Sequence, residues 1–423
     1  MGRAASGVRR WGPVLGLLAG LGGLGACTLA GPEPGPRAPR PSAPAAPIPE
    51  VGGGSMPDVR VGLVVAVPSV TVSGDRLELV DDAGRVHHRG PGPWTVTRAG
   101  AGVEARNGAT VVGVEGSLVV RPVTGRVAVD GTGYRGAVLL RPGETGVTAV
   151  NLLDLESYLL GVVPLEIGTG RPAEELEAVK AQAIAARTYA VRQLGRREAL
   201  GFDYHGSVLD QAYGGADAED PAATRAVAET RGMILTHDGE PIEAYYHSTC
   251  GGRTAAPDEV WGGTPRPYLR SVPDERPDGG WYCEASSRFR WTEEWDEAAL
   301  LASLSEGLGP VAVVEALEVT ERSASGRAEA LVVRTGNGER RVHGDAIRRV
   351  LRPEPGRMLN STLIELEPRG GDRVTGLTVH GRGWGHGVGM CQTGALGRAR
   401  AGQSYREILS TYYPGTRLVR LYR

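Results

Sequence analysis

The chain has 423 residues, a formal net charge of −2 and a pI near 6.5, so it is too long for one ordinary domain and is not built around an overall positive field. Its arginines are spread along the sequence with no basic block, and Lys180 is its single lysine, which argues against a nucleic-acid-binding protein. With 64 glycines and 2 phenylalanines, it should have many turns and an aliphatic core.

Residues 1–27 read as an export signal. Arg3, Arg9 and Arg10 form a basic start, an apolar run follows from Val14 to Ala26, and Leu24-Gly25-Ala26-Cys27 resembles a bacterial lipobox. On that reading Cys27 becomes the lipidated first residue, and several acyl chains on it would hold the protein at a membrane. An ordinary secretory signal or an uncleaved anchor are the alternatives, and each also exports the chain. Residues 28–58 are rich in Pro, Ala and Gly and read as a disordered tether.

Residues 59–150 alternate short Val- and Leu-rich runs with Gly, Pro and Asp turns, the pattern of a mostly antiparallel β unit. Residues 151–290 carry the helical signals and most polar clusters. The apolar run LLGVVPLEI ends in Glu166 and a Gly-rich turn. Pro172 then opens a long helix, with Leu176, Val179, Ala183, Ala186, Ala190 and Leu194 at helical spacing on one face. Glu166 is expected on the loop before that helix, where its position alone favours a surface carboxylate over a general acid. A second helix starts at Pro221, and MILTHDG and IEAYYHST read as a hairpin around Asp238-Gly239. Residues 291–372 read as an inserted α+β element that starts with an amphipathic segment, TEEWDEAALLASLSEGLG. Residues 373–423 return to Gly-rich, polar sequence. The fold class expected is α+β: a β-rich N-terminal unit, a central helical region, the insert, and a C-terminal motif that closes the site.

Three separated stretches share one character. They are YLLGVVPLEIGTGRPAEELEAVKAQAIAARTYAVR (158–192); DQAYGG (210–215) with YYHSTCGGRT (245–254); and GRGWGHGVGMCQTGALGRA (381–399) with ILSTYYPGT (408–416). In this order they resemble the motifs of the SpoIID/LytB family, sporulation protein D and its relatives among bacterial cell-wall proteins. The resemblance runs from about Val59 to the C-terminus. It implies a lytic transglycosylase that cleaves MurNAc–GlcNAc bonds in peptide-free peptidoglycan strands, with Glu166 as the single acid and base. The alternative it implies is the amidase-enhancer branch of the family, a non-catalytic glycan binder whose partner is a cell-wall amidase; the retained Glu166 favours the enzyme. The better-known family form reads Glu-Met-Pro; here Glu166-Ile167-Gly168 keeps the acid and changes the turn.

One carboxylate suffices for that chemistry. Hydrolytic glycosidases ordinarily need two. In a transglycosylase the C6 hydroxyl of the sugar attacks its own anomeric carbon, and such intramolecular steps gain up to roughly 7–11 kcal/mol from proximity. The remaining motif residues are expected to bind glycan: Gln211, Tyr213, His247, Ser248, Thr249, Trp384, His386 and Gln392. Arg187 is expected either behind Glu166 as an ion-pair partner or as a packing stem. His247, Cys250 and Cys283, with His205 near, have zinc-ligand chemistry, and some family members hold zinc. Exported thiols tend to oxidise, so a Cys250–Cys283 disulfide is the first choice. Cys391 stands where the family more often has Ser and is expected to be a buried, unpaired thiol.

Overall fold

A computed structural model describes residues 48–49 and 54–423. The export signal, Cys27 and most of the 28–58 tether lie outside the described residues. The protein is α+β, as the sequence implies. Among the described residues, no helix is long and apolar enough to cross a membrane.

Two mainly antiparallel sheets form the N-terminal part, the first with one parallel edge strand, Tyr204–His205. The first is centred on the paired strands Asp58–Val67 and Val147–Asp154 and extends to Val86–Gly90 at one edge. The second runs from Thr132–Tyr134 through Ser69–Ser73 to Thr110–Glu115. Their inward residues, among them Leu77, Leu79, Leu118, Val120, Trp94, Val96 and Val103, share one core. Alternating burial along Ala137–Pro142 shows why these Val- and Leu-rich runs become strands: one face is sealed and the other stays wet.

The chain then enters eight helices: α1 (Leu155–Ile167), α2 (Leu176–Gln193), α3 (Pro221–Glu229), α4 (Pro257–Trp261), α5 (Glu297–Leu308), α6 (Ala346–Val350), α7 (Gln392–Arg400) and α8 (Tyr405–Tyr412). Two expectations change here. The apolar run before the Gly-rich turn is itself helix α1, capped by the Asp154 side chain on the Ser157 N–H at 2.9 Å, although Pro164 lies inside it. Glu166 is therefore in the last turn of a helix, not on a loop. The long helix opens later than Pro172, after a short 3-10 turn at Ala173–Glu175, and every residue from 181 to 190 is buried. Its alanines serve close packing all round rather than one face.

The hairpin at Asp238-Gly239 exists, with both residues at positive φ, but its second strand is only Glu240–Pro241. Residues Tyr246–His247 instead pair in parallel with Met390–Cys391. In the insert, Arg290–Asp296 is a strand and α5 begins only after it, capped by Asp296. The insert has its own core around Trp295, Leu300, Leu331 and Leu377. The boundary expected at 150/151 lies within the strand Val147–Asp154, and that at 372/373 lies in the turn joining Ile364–Gly370 to Val374–Arg382.

Candidate active site around Glu166

Helix α1, the loop at Gln211-Ala212, the strand Tyr246–His247 and the start of α7 meet at Glu166. The Ala212 N–H donates to Glu166 Oε1 at 2.8 Å, and the Gln392 amide reaches Oε2 at 3.5 Å. Gln392 also touches Gln182 of α2 at 3.4 Å. A relay of hydroxyl and amide groups stands behind the carboxylate. Tyr158 donates to Gln211 Oε1 at 3.2 Å, Gln211 Nε2 donates to the Tyr246 hydroxyl at 2.8 Å, and Tyr246 hydrogen-bonds Glu166.

Burial raises the Glu166 pKa above the ordinary carboxylate value, and the bonds from Ala212, Gln392 and Tyr246 offset that only in part. Among the described residues no salt bridge includes Glu166. Its place at the negative end of the α1 dipole works in the same direction as burial. The arrangement suits an acid that keeps its proton.

Gly168 closes α1 with φ 94° and ψ 152°, and its N–H donates to the Pro164 carbonyl at 3.0 Å. Only glycine adopts that backbone readily. A proline at this position could supply neither the positive φ nor the N–H, so the turn after the acid differs in kind from the Glu-Met-Pro form.

The Gly-rich run at 381–389 lets two backbones approach. A Cβ on Gly389 would lie 1.9 Å from the Tyr245 carbonyl oxygen, and Thr249 forms an antiparallel bridge with Trp384. His247 and His386 are thereby brought together, ring centres 5.6 Å apart, with Trp261 at 5.1 Å from His386. Burial lowers both histidines, His386 to about 4, so both are neutral imidazoles near pH 7. His247 Nδ1 pairs with the Val388 carbonyl at 3.1 Å, while its buried Nε2 has no protein partner. No hydrogen bond among the described residues joins either histidine to Glu166.

The expected glycan-binding residues divide by exposure. Trp384 is 47% exposed, with the Arg288 guanidinium 5.5 Å over its ring, and His386 and Ser248 are half-buried. Tyr213 is a correction: it is core. Its hydroxyl donates to Asn151 at 2.7 Å, and its ring packs between Tyr134 and Tyr158, so no sugar can stack on it. Gln211 and Thr249 are buried too. Gln211 positions Tyr246, and Thr249 bonds Ser286 at 2.8 Å and Thr393 at 3.1 Å.

Arg187 is the second correction. It is fully buried and pairs with Glu156, not Glu166, through two bonds of 2.9 and 2.8 Å. Sequence reasoning also missed Tyr246 and the Ala212 N–H. Both lie inside quoted motifs, but their role depends on which segment faces Glu166.

The cysteines depart from both expectations. Cys250 and Cys283 are separate thiols, 3.4 Å apart, and Cys391 joins them rather than standing alone. His247 is turned to Val388 and is not part of this group, and His205 packs on Phe202. The fourth member is Asp274, and the set Cys250, Asp274, Cys283 and Cys391 could hold a metal ion.

Comparison with known proteins agrees with the motif order. A family model described as Stage II sporulation protein matches residues 143–237, and another, described as a domain of unknown function, matches residues 278–389. An uncharacterized protein of Brachyspira hyodysenteriae is 32% identical over 326 residues, 75% of this chain and 81% of that protein. The amidase enhancer of Bacillus subtilis is 30% identical over 341 residues, 71% of this chain but 47% of that protein. Stage II sporulation protein D of Bacillus subtilis is 32% identical over 291 residues, 65% of this chain and 77% of that protein. With the acid, the tyrosine–glutamine relay and the Gly-rich closing strand held together as described, the chain belongs to the SpoIID (stage II sporulation protein D) family.

Proposed function

We propose that this chain is a peptidoglycan lytic transglycosylase that cuts MurNAc–GlcNAc bonds in peptide-free glycan strands, with Glu166 as acid and then base. The observation that carries the reading is a half-buried carboxylate, raised in pKa, with no ion-pair partner among the described residues and no second carboxylate among the groups that shift it. In the first half of the reaction, protonated Glu166 gives its proton to the glycosidic oxygen as the C1–O4 bond breaks. The C6 hydroxyl of the same MurNAc closes on C1, its proton passes to the Glu166 carboxylate, and the 1,6-anhydro ring is complete. No water is consumed, and Glu166 ends protonated, as it began.

The Ala212 N–H and the Gln392 amide hold the carboxylate in place through that cycle. Trp384 and Trp261, 47% and 46% exposed, offer flat faces to sugar rings, and neutral His386 offers a hydrogen-bonding nitrogen. Export and lipid attachment at Cys27 belong to the same proposal, because the substrate lies outside the cytoplasm.

A second reading, amidase enhancement, is favoured by the Bacillus subtilis relative of that name and by the changed turn at Gly168. Here the chain would bind the strand and present it to an amidase without cutting it. Incubation of the full chain with denuded glycan, followed by mass analysis of the products, separates the two. Anhydro-muramic ends released by the wild type and lost in Glu166→Gln support the transglycosylase. Strand binding without products, together with equal stimulation of an amidase by both proteins, overturns it.

A further inference from the structure

Glycan cleavage leaves one buried cluster unused. Cys250, Asp274, Cys283 and Cys391 bring three sulfurs and a carboxylate oxygen within 4.8 Å of one another, and all four residues are buried. Three of them lie within residues 250–283, and the fourth, Cys391, comes from more than a hundred residues further along the chain. We propose that they form a structural zinc site, a Cys3Asp tetrahedron clamping the strand that ends at His247 to the segment that opens α7.

The spacing suits a metal. Zinc–sulfur bonds of about 2.3 Å and zinc–oxygen bonds of about 2.0–2.2 Å, set tetrahedrally, put neighbouring ligand atoms roughly 3.5–3.8 Å apart. Cys250 Sγ lies 3.4 Å from Cys283 Sγ and 3.6 Å from Asp274 Oδ2. A disulfide would use two of the sulfurs and leave a third thiol and a carboxylate buried beside it without purpose.

The surroundings hold the ligands as an outer shell does. The other carboxylate oxygen, Asp274 Oδ1, accepts the Tyr412 hydroxyl at 2.7 Å and Arg398 at 3.1 and 3.0 Å, which turns Oδ2 to the sulfurs. Cys391 Sγ accepts the N–H groups of Cys250 at 3.1 Å and Gly394 at 3.2 Å, the company a thiolate wants. A Cβ on Gly394 would lie 2.2 Å from the Tyr412 hydroxyl and 2.3 Å from Asp274 Oδ2, so glycine is needed for the shell to close. Three thiolates and one carboxylate carry three charges more than Arg398 neutralises, and a divalent cation removes most of that excess. Thiolate-rich tetrahedral sites select zinc or iron–sulfur chemistry, and the mixed oxygen donor favours zinc.

The clamp has a consequence for the site. Cys250 follows Thr249, which bridges Trp384, and Cys391 precedes Gln392, which touches Glu166. The inference does not depend on glycan cleavage, because its test reads metal.

The full chain, purified under reducing conditions without chelator, is expected to contain one zinc per molecule by plasma mass spectrometry. Cobalt substitution is expected to give thiolate-to-cobalt charge-transfer bands, weakened in Asp274→Asn and lost in Cys283→Ser. Because a variant can fail to fold, the wild type is also treated with a strong chelator: its Tm should fall and recover when zinc is returned. Metal-free protein whose Tm ignores the chelator overturns the proposal. So does a Cys250–Cys283 disulfide in peptides mapped without reduction, or iron in place of zinc.

Discussion

Helix α1 carries an acid near each end, Glu156 buried and Glu166 half-buried, and the two live in opposite surroundings. Glu156, in the first turn, accepts two bonds from Arg187, one from the Gly232 N–H at 3.1 Å and one from the Tyr422 hydroxyl at 2.6 Å. Burial pushes its pKa up, but Arg187 and these donors outweigh burial and hold it below the ordinary value. Glu166, in the last turn, meets burial, one backbone N–H and neutral side chains, and its pKa stays raised. The helix dipole adds to the contrast, favouring charge at the first position and opposing it at the last. The same residue type on one 13-residue helix thus favours its charged form at one end and its protonated form at the other, set by its neighbours together with the helix dipole.

That contrast can be broken from either end. The largest effect is expected from Glu166→Gln, which should cut anhydro-product formation by about 10²–10⁴-fold. Its stability should not suffer. A carboxyl whose folded pKa lies above its unfolded value near 4.3 costs stability as pH rises through that window. The variant should therefore lose this decline, as urea midpoints measured against pH would show. Arg187→Met attacks the other end. It strands the Glu156 carboxylate in the core and should cost about 3–5 kcal/mol in urea unfolding. Glu156 also sets an acid limit: its contribution is present above the unfolded value and is lost as pH falls through its lowered folded pKa.

Smaller effects sharpen the picture. Gly168→Ala forces a side chain into a glycine-only backbone region and should cost about 1–3 kcal/mol, with some loss of activity because the last turn of α1 shifts. Gln392→Leu removes a donor that favours the ionised acid. Glu166 should then hold its proton to higher pH, moving the basic limb of the pH–rate profile upward, with about 1 kcal/mol or less of lost stability. A basic limb that moves downward would show that Gln392 does not act on Glu166.

Much of this protein was legible in its residues. The short Val-rich runs between turns pointed to a mostly antiparallel β unit, which the fold divides into two sheets, and Pro221 marked the start of α3, which Asp220 caps. The motif order brought Glu166, the 210–215 loop and the 381–399 run into one site. Helix α1 was hidden by Pro164 and by Val162-Val163, which read locally as strand or turn; burial of Leu159, Val162, Val163 and Ile167 outweighs those local preferences. For Arg187 the sequence leaves an ion pair with Glu166 and a packing stem both open, and only the packing of α2 on α1 pairs it with Glu156.

The amino-acid sequence by itself determined the α+β class and carried the family motifs, because periodicity and motif spacing are local and survive without tertiary contacts. The tertiary structure decided which groups surround each side chain. Tyr213 became core, Tyr246 entered the relay to Glu166, and Cys391 joined Cys250, Asp274 and Cys283 across the fold. Protonation, pairing and metal affinity depend on distances of a few ångströms across the fold, and no pattern along one chain fixes those.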